Sequence, residues 1–243
     1  MGSSGIRFSM GGSRRLSIAK AFVSELRQRE GPNLVAAGVY GSVARGEDRE
    51  HSDIDLLVVV RRHRRSISHR MLEGTLVTVL QLTPDEARAE VHGSRAGLND
   101  VLGGWRSLRP LHDPRGLLAR LRRHAMHPSK SQFHGAAAMH LLETFEDLGK
   151  LRNAVVAGDR EEAREMAVWY TGAAMGSLHD LDGRVLTTGR RGFIELRGHG
   201  TLDEAVRRLR YETLSLRETA RVAERIWSDL VALARRRGIP TPG

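Results

Sequence analysis

With 243 residues, 40% of them hydrophobic, the chain can bury a core and has the length for two small domains. It has no cysteine, which removes disulfides, thiolate zinc sites and cysteine nucleophiles together. No run of about 18 apolar residues argues for a membrane span. The net charge of +10 suggests a nucleic-acid partner, but only Lys20, Lys130 and Lys150 among the 39 basic residues are lysines. The rest is arginine spread over the whole chain. Aromatics are 5% and none interleaves with the basic run at 61–65, which argues against a stacking platform and against nucleic acid as substrate.

In chain order, residues 1–14 read as a loose tail, and their start lacks the apolar core of a signal peptide, so a cytoplasmic location is expected. Leu16, Ala19, Phe22, Val23 and Leu26 have helical spacing, closed by Gly31-Pro32. An apolar strand through Val35, Ala37 and Val39 leads into a Gly41-Ser42 turn, and a second strand opens at Ser52-Asp53-Ile54-Asp55. The run Arg61-Arg62-His63-Arg64-Arg65 lies in the loop after it. Thr75 to Leu82 is a third strand, and Thr83-Pro84-Asp85-Glu86 starts a helix reaching about Val91. Trp105 to Leu111 is expected to be a further strand.

Beyond His112-Asp113-Pro114-Arg115-Gly116 the pattern turns helical: Leu117 to His124, Phe133 to Val156, Asp159 to His179, Thr201 to Arg210 and Tyr211 to Arg237. The expected fold class is α+β. A sheet with flanking helices over 15–112 is followed by a helical bundle over 113–243 for substrate binding and dimerisation.

Two motifs carry chemistry. Residues two apart on a strand share a face, so Asp53 and Asp55 project together while Ile54 points to the core. Two carboxylates suit Mg²⁺, which completes its shell with substrate phosphates and water. The Gly41-Ser42 turn offers backbone N–H groups and a hydroxyl for phosphate oxygens. Further on, Phe145-Glu146-Asp147-Leu148-Gly149-Lys150-Leu151-Arg152-Asn153 puts Glu146 and Lys150 on one helical face, where the plain reading is a surface ion pair. Gly149 inside a helix costs about 1 kcal/mol relative to Ala and suggests the approach of a ligand or another chain.

Gly41-Ser42, nine residues and then Ser52-Asp53-Ile54-Asp55 resembles the nucleotidyltransferase superfamily that includes DNA polymerase beta. The segment from Phe145 to Asn153 resembles the Phe-Glu-x-x-Gly-Lys-x-Arg-Asn motif of the kanamycin (aminoglycoside 4′-O-) nucleotidyltransferases. Gly38-Val39-Tyr40, Ser68-His69, Leu111-His112-Asp113 and Thr187-Thr188 have counterparts in the same order, so the similarity spans most of 30–190. The resemblance implies Mg²⁺ on Asp53 and Asp55, phosphates on Gly41, Ser42, Arg45 and Lys150, and Glu146 as general base. It also implies homodimers whose active sites combine the Asp-bearing domain of one subunit with the Glu/Lys helix of the other. Two departures weaken an aminoglycoside acceptor. An acid of the third strand is replaced by Val79, or by Thr78 if the register slips by one, and an acid after the Ser-His pair falls on Arg70.

The expectation is a Mg²⁺-dependent transferase moving a nucleoside monophosphate from an NTP, ATP foremost, to a hydroxyl of a small molecule. An aminoglycoside antibiotic, and hence antibiotic resistance, is the named class. The alternatives are a regulatory antitoxin-like module acting on a protein or RNA partner, and a nucleotide-binding homologue with reduced catalysis.

Overall fold

The computed structural model describes residues 13–62 and 66–242. Of the expected tail, residues 1–12 lie outside the described residues. Ser13 caps the first helix, its hydroxyl accepting from the Leu16 N–H at 3.2 Å, and Arg14 is that helix's first residue. Helix α1 (Arg14–Glu30) buries Leu16, Ile18, Ala19, Phe22, Val23 and Leu26. A single 3₁₀ turn at Gly31–Asn33 passes the chain to β1 (Leu34–Tyr40), and α2 (Gly41–Arg45) follows at once, so Gly41-Ser42 opens a helical turn.

Then come β2 (Ile54–Val60), β3 (Ile67–Leu72), β4 (Thr75–Leu82), α3 (Pro84–His92), α4 (Leu98–Ser107) and β5 (Arg109–His112). The sheet order is β3-β4-β2-β1-β5. Only β2 and β4 run parallel. The residues of α1 pack with Ile54, Leu56, Val58, Val77 and Val79 in one core.

Two sequence readings change here. Residues 105–107 are helical and only Arg109–His112 is strand. Leu98, Leu102 and Trp105 are buried at helical spacing, and the Trp105 indole N–H donates to Glu90 Oε2 at 3.1 Å. Strand β3 had no apolar alternation to announce it, because it is an edge strand with mostly exposed side chains. It joins β4 through Glu73 and Gly74, at φ 48° and 75°. Positive φ at both central residues is the two-residue hairpin geometry that suits strand twist. The helix start at Thr83 forms as expected: its N–H donates to Glu86 Oε2 (2.6 Å), and the Glu86 N–H donates to Thr83 Oγ1 (3.2 Å).

The helical part comprises α5 (Leu117–Met126), α6 (Lys130–Ala157), α7 (Arg160–Leu181), α8 (Gly192–Glu195), α9 (Thr201–Tyr211) and α10 (Leu216–Arg236). Tyr211 closes α9 instead of opening α10, because Ser215 and Glu218 form a capping box that sets the start of the last helix. Ser129 and Gln132 do the same for α6, and Asp159 caps α7. Among the described residues no helix is long and apolar enough to cross a membrane.

The chain divides into two compact units. One takes in the described residues up to Val91 with Gly104–Ala125, and the other has His92–Gly103 with Met126 onward. The expected junction at 112/113 falls inside the first unit. Helix α5 stays there because the Arg106 guanidinium donates to the Ala125 carbonyl (2.9 Å) and Arg122 to the Arg106 carbonyl (3.0 Å). The segment 92–103 belongs with the helices. Asn99 donates to buried Asp180 Oδ1 at 2.7 Å, while Asp180 Oδ2 meets His140 Nδ1 at 2.6 Å. A carboxylate that is 0% exposed needs such partners. Leu141, Leu148, Leu151, Tyr170, Leu178, Val206, Ile226 and Leu230 share the core of this unit.

Candidate active site

The sheet unit builds its half of the motif around Gly41. This residue sits at φ 73°, and a Cβ on it would stand 3.0 Å from Asp55 Oδ2, so both backbone and space require glycine. Strand pairing explains the approach, since Tyr40 lies opposite Asp55 across β1 and β2. The Gly41 N–H is already engaged: it donates to Ser107 Oγ at 3.0 Å, and the Ser107 hydroxyl donates to the Gly104 carbonyl at 2.8 Å. Of the expected phosphate-binding amides, this one is structural. Ser42 and Val43 occupy the first helical turn after it, where N–H groups have no carbonyl of their own helix to bond. Arg45 pairs with Glu47 at 2.8 Å and is largely shielded.

The loop between Gly46 and Asp53 is held from α1. Arg15 donates to the Ser52 carbonyl at 2.7 Å and to the Glu50 carbonyl, with its guanidinium 3.7 Å from Asp48. Ser52 closes the end of the loop, its hydroxyl accepting from the Arg49 N–H at 2.8 Å. Asp53 immediately precedes β2, and Asp55 is its second residue; both are half-buried, while Ile54 between them is fully buried.

The register of β4 and β3 corrects the two departures. Asp55 pairs with Thr78, and Thr78 pairs with His69, so these three share a row and a face. Val79 is 2% exposed and belongs to the core with α1. Arg70, paired with Val77, has its guanidinium 5.8 Å from the Phe22 ring centroid, on the α1 side of the sheet. The residues beside Asp55 on this face are therefore Thr78, which the sequence had left open as the alternative to Val79, and His69 in place of Arg70. The Thr78 hydroxyl and His69 Nδ1 are 3.2 Å apart.

Among the described residues, no group of three or more His, Cys, Asp or Glu side chains converges as a metal cage. Asp53 and Asp55 supply two hard oxygen donors. That set fits Mg²⁺ sharing its shell with phosphates and water better than it fits zinc or a buried calcium.

In the helical unit, the motif on α6 divides between structure and surface. Leu148 and Leu151 are core, Phe145 packs at a tilt against Trp227 at 5.3 Å between centroids, and Arg152 forks onto Glu224 on α10 at 2.6 and 2.8 Å. Glu146 and Lys150 face outward, with side chains 69% and 51% exposed, and meet at 2.9 Å. Lys150 also lies 3.5 Å from Asp147. The hydrogen bond and charge of Lys150 hold the Glu146 carboxyl below the usual carboxylate range, and Glu146 in return raises the Lys150 ammonium. A Cβ on Gly149 would meet nothing within 4 Å, so nothing within the described chain requires glycine there.

The structure thus places Gly41, Ser42, Arg45, Asp53 and Asp55 in the sheet unit, and Glu146 and Lys150 in the helical unit. Sequence reasoning missed Arg15 and Ser107, and it named Thr78 only as the alternative to Val79 and His69 only as part of the Ser-His pair. The first two act across long sequence separations and carry no local signal. The last two needed the strand register.

Residues 19–96 match the nucleotidyltransferase domain family. Over 170 residues, 68% of this chain and 67% of the relatives, the chain is 28% identical to the aminoglycoside nucleotidyltransferases (4′) of a Bacillus species and of Staphylococcus aureus. A crystal structure of a nucleotidyltransferase-like protein from Exiguobacterium sibiricum 255-15 shares the fold at a TM-score of 0.59 and 12% identity, over 91% of this chain and 75% of that one. With its Asp-bearing sheet, its matching domain and these relatives, the chain is a transferase of the nucleotidyltransferase type, similar over two thirds of its length to the aminoglycoside nucleotidyltransferases (4′).

Proposed function

We propose that the protein moves a nucleoside monophosphate from an NTP, ATP foremost, to a hydroxyl of a small molecule, with release of pyrophosphate. The carrying observation is the closure of Gly41 against the Asp55 carboxylate, one residue beyond Asp53's neighbour Ile54 and directly before the Ser42 turn. Carboxylates and a phosphate-cradling turn meet there. Asp53 and Asp55 would hold Mg²⁺, which offsets charge on the α-phosphate and on the leaving pyrophosphate. Ser42 and Arg45 hold phosphate oxygens, with Arg45 exchanging Glu47 for the nucleotide.

Glu146 accepts the proton of the acceptor hydroxyl as that oxygen attacks the α-phosphorus. In its pair with Lys150 it is ionised but a weak base. When Lys150 turns to a phosphate, the Glu146 carboxylate regains basicity at the moment it is needed. Following the family resemblance, the sites are shared in a cytoplasmic homodimer, with the sheet residues of one subunit facing the α6 residues of the other. The open space over Gly149 agrees with that reading. Aminoglycosides, the acceptors named for the curated relatives, are the first class to assay, with resistance as the biological role.

The test is a transfer assay with ATP labelled at the α- or the γ-phosphate, using the whole chain, Mg²⁺ and panels of aminoglycosides, RNA and protein. The α-label should move to a small molecule and the γ-label should leave as pyrophosphate. Label on protein or RNA would favour a partner-modifying regulatory module. ATP binding without transfer to any acceptor would favour a homologue that has lost turnover.

A further inference from the structure

The two carboxylates of the site are held in different ways. Asp55 lies inside β2, paired with Tyr40 on one side and Thr78 on the other. Asp53 stands one residue before β2 and belongs to neither ladder. Its side chain is half-buried and, among the described residues, takes part in no hydrogen bond or ion pair. Neither a strand partner nor a side-chain partner fixes it, so its position follows from the loop backbone that carries it.

That loop, residues 47–53, is partly closed on itself. The Ser52 N–H donates to the Arg49 carbonyl at 2.9 Å, and the Ser52 hydroxyl accepts from the Arg49 N–H at 2.8 Å. From outside comes Arg15, in the first turn of α1, and all three of its guanidinium nitrogens face the loop. Nε donates to the Ser52 carbonyl at 2.7 Å, one Nη donates to the Glu50 carbonyl, and the other lies 3.7 Å from Asp48. A guanidinium is a rigid planar fork, so three simultaneous engagements hold the loop in one place. The Asp48 side chain is 6% exposed and that of Arg15 18%, so water competes little for these contacts. The Ser52 carbonyl counts most. It shares a planar peptide with the Asp53 nitrogen and Cα, and tethering its oxygen sets the plane from which the Asp53 side chain departs.

Mg²⁺ demands near-ideal octahedral geometry at about 2.0–2.1 Å, so a carboxylate on an unfixed loop would serve it poorly. Resting on the nucleotidyl-transfer reading above, we propose that Arg15 is a positioning residue for the metal site, fixing the 47–53 loop so that Asp53 stands ready beside Asp55. It acts through the Ser52 carbonyl and not by contact with nucleotide or acceptor. Its loss should therefore weaken what the metal contributes and spare what the nucleotide does alone.

The experiment uses the full chain and an ATP analogue with a methylene between the α- and β-phosphates. Calorimetry measures its affinity with and without Mg²⁺. Wild type should bind it more tightly with Mg²⁺. Arg15→Ala should keep the metal-free affinity but lose about 10–100-fold of the Mg²⁺-dependent gain, with a similar loss in kcat, as for residues that orient metal ligands elsewhere. Amide hydrogen exchange over 47–53 should quicken while β1 and β2 stay protected. Guanidinium ion, far below denaturing concentration, should restore part of the gain by filling the vacated place. Arg15→Lys should fall between, because one ammonium cannot span both carbonyls and Asp48; it also decides the matter if Arg15→Ala does not fold. A wild-type protein whose analogue affinity ignores Mg²⁺, and which transfers no label, overturns the transfer reading and this role with it. Active, Mg²⁺-responsive wild type together with Arg15 variants that lose melting temperature but keep the full Mg²⁺ gain and kcat overturns the positioning role alone.

Discussion

The two units hold their motif residues in opposite ways. In the sheet unit, the Gly41 amide is bonded to Ser107, the loop before Asp53 is pinned by Arg15, and Asp55 is fixed by pairing between β1 and β4. In the helical unit, Glu146 and Lys150 engage each other and Asp147 on an exposed helix face, beside a glycine with empty space over it. The first arrangement is preorganised, as a metal and phosphate site has to be. The second is complete only if something outside that face comes to it, which is what a site shared between subunits would provide.

The largest effect should come from the preorganised side. Asp53→Asn or Asp55→Asn should lower transfer by about 10⁴-fold or more, as removal of a central catalytic group does elsewhere. The melting temperature should stay at the wild-type value, because the strand keeps its shape. Metal-dependent turnover near wild type in either variant would remove the carboxylate pair from the mechanism.

Glu146→Gln follows, with a loss of order 10²–10⁴ in kcat and little change in ATP affinity. The pH profile sharpens this. Glu146 must be ionised to accept a proton, so kcat/KM, which reports the free enzyme, falls as pH drops through its pKa, which Lys150 holds low there. In Lys150→Met that acid limb should move to higher pH. A limb that stays in place would return the pair to surface decoration.

A different contrast comes from His140→Ala. It leaves the buried Asp180 without its imidazole partner at 2.6 Å and should cost about 1–3 kcal/mol in urea unfolding, the range for removing a partner from a buried polar group. ATP binding to the sheet residues should be unaffected. Weak destabilisation would mean that the Asn99 amide suffices to satisfy Asp180.

The smallest effect divides stability from activity at one position. Gly149→Ala should stabilise by about 1 kcal/mol, since the new Cβ meets nothing in the chain. That is roughly 2–4 °C in melting temperature for a chain of this size. Transfer should fall if the space serves a ligand or a second subunit. A variant that is both more stable and fully active would show that nothing enters there.

The spacing of Gly41-Ser42 and Ser52-Asp53-Ile54-Asp55 was legible because turn, loop and strand follow one another along the chain. So were most helices, whose caps at Thr83 and Asp159 are written in adjacent residues. What failed was non-local. The sequence left the third-strand position open between Val79 and Thr78 and put Arg70 one residue from His69, because a one-residue shift in a strand exchanges its faces and only the register decides it. Strand β3 escaped notice because an exposed edge has no buried alternation. Ser107 and Arg15 reach their targets across 66 and 37 positions, beyond any local pattern.

The claim that one site draws on both regions, from two copies of the chain, is tested most directly by mixing inactive proteins. Asp53→Asn and Glu146→Gln protein should be combined under conditions of demonstrated subunit exchange, and α-label transfer measured. In a two-fold dimer half of the molecules are then mixed, each with one site free of both substitutions, so activity should return to roughly a quarter of wild type. A mixture that exchanges subunits and stays inactive would contradict the shared site.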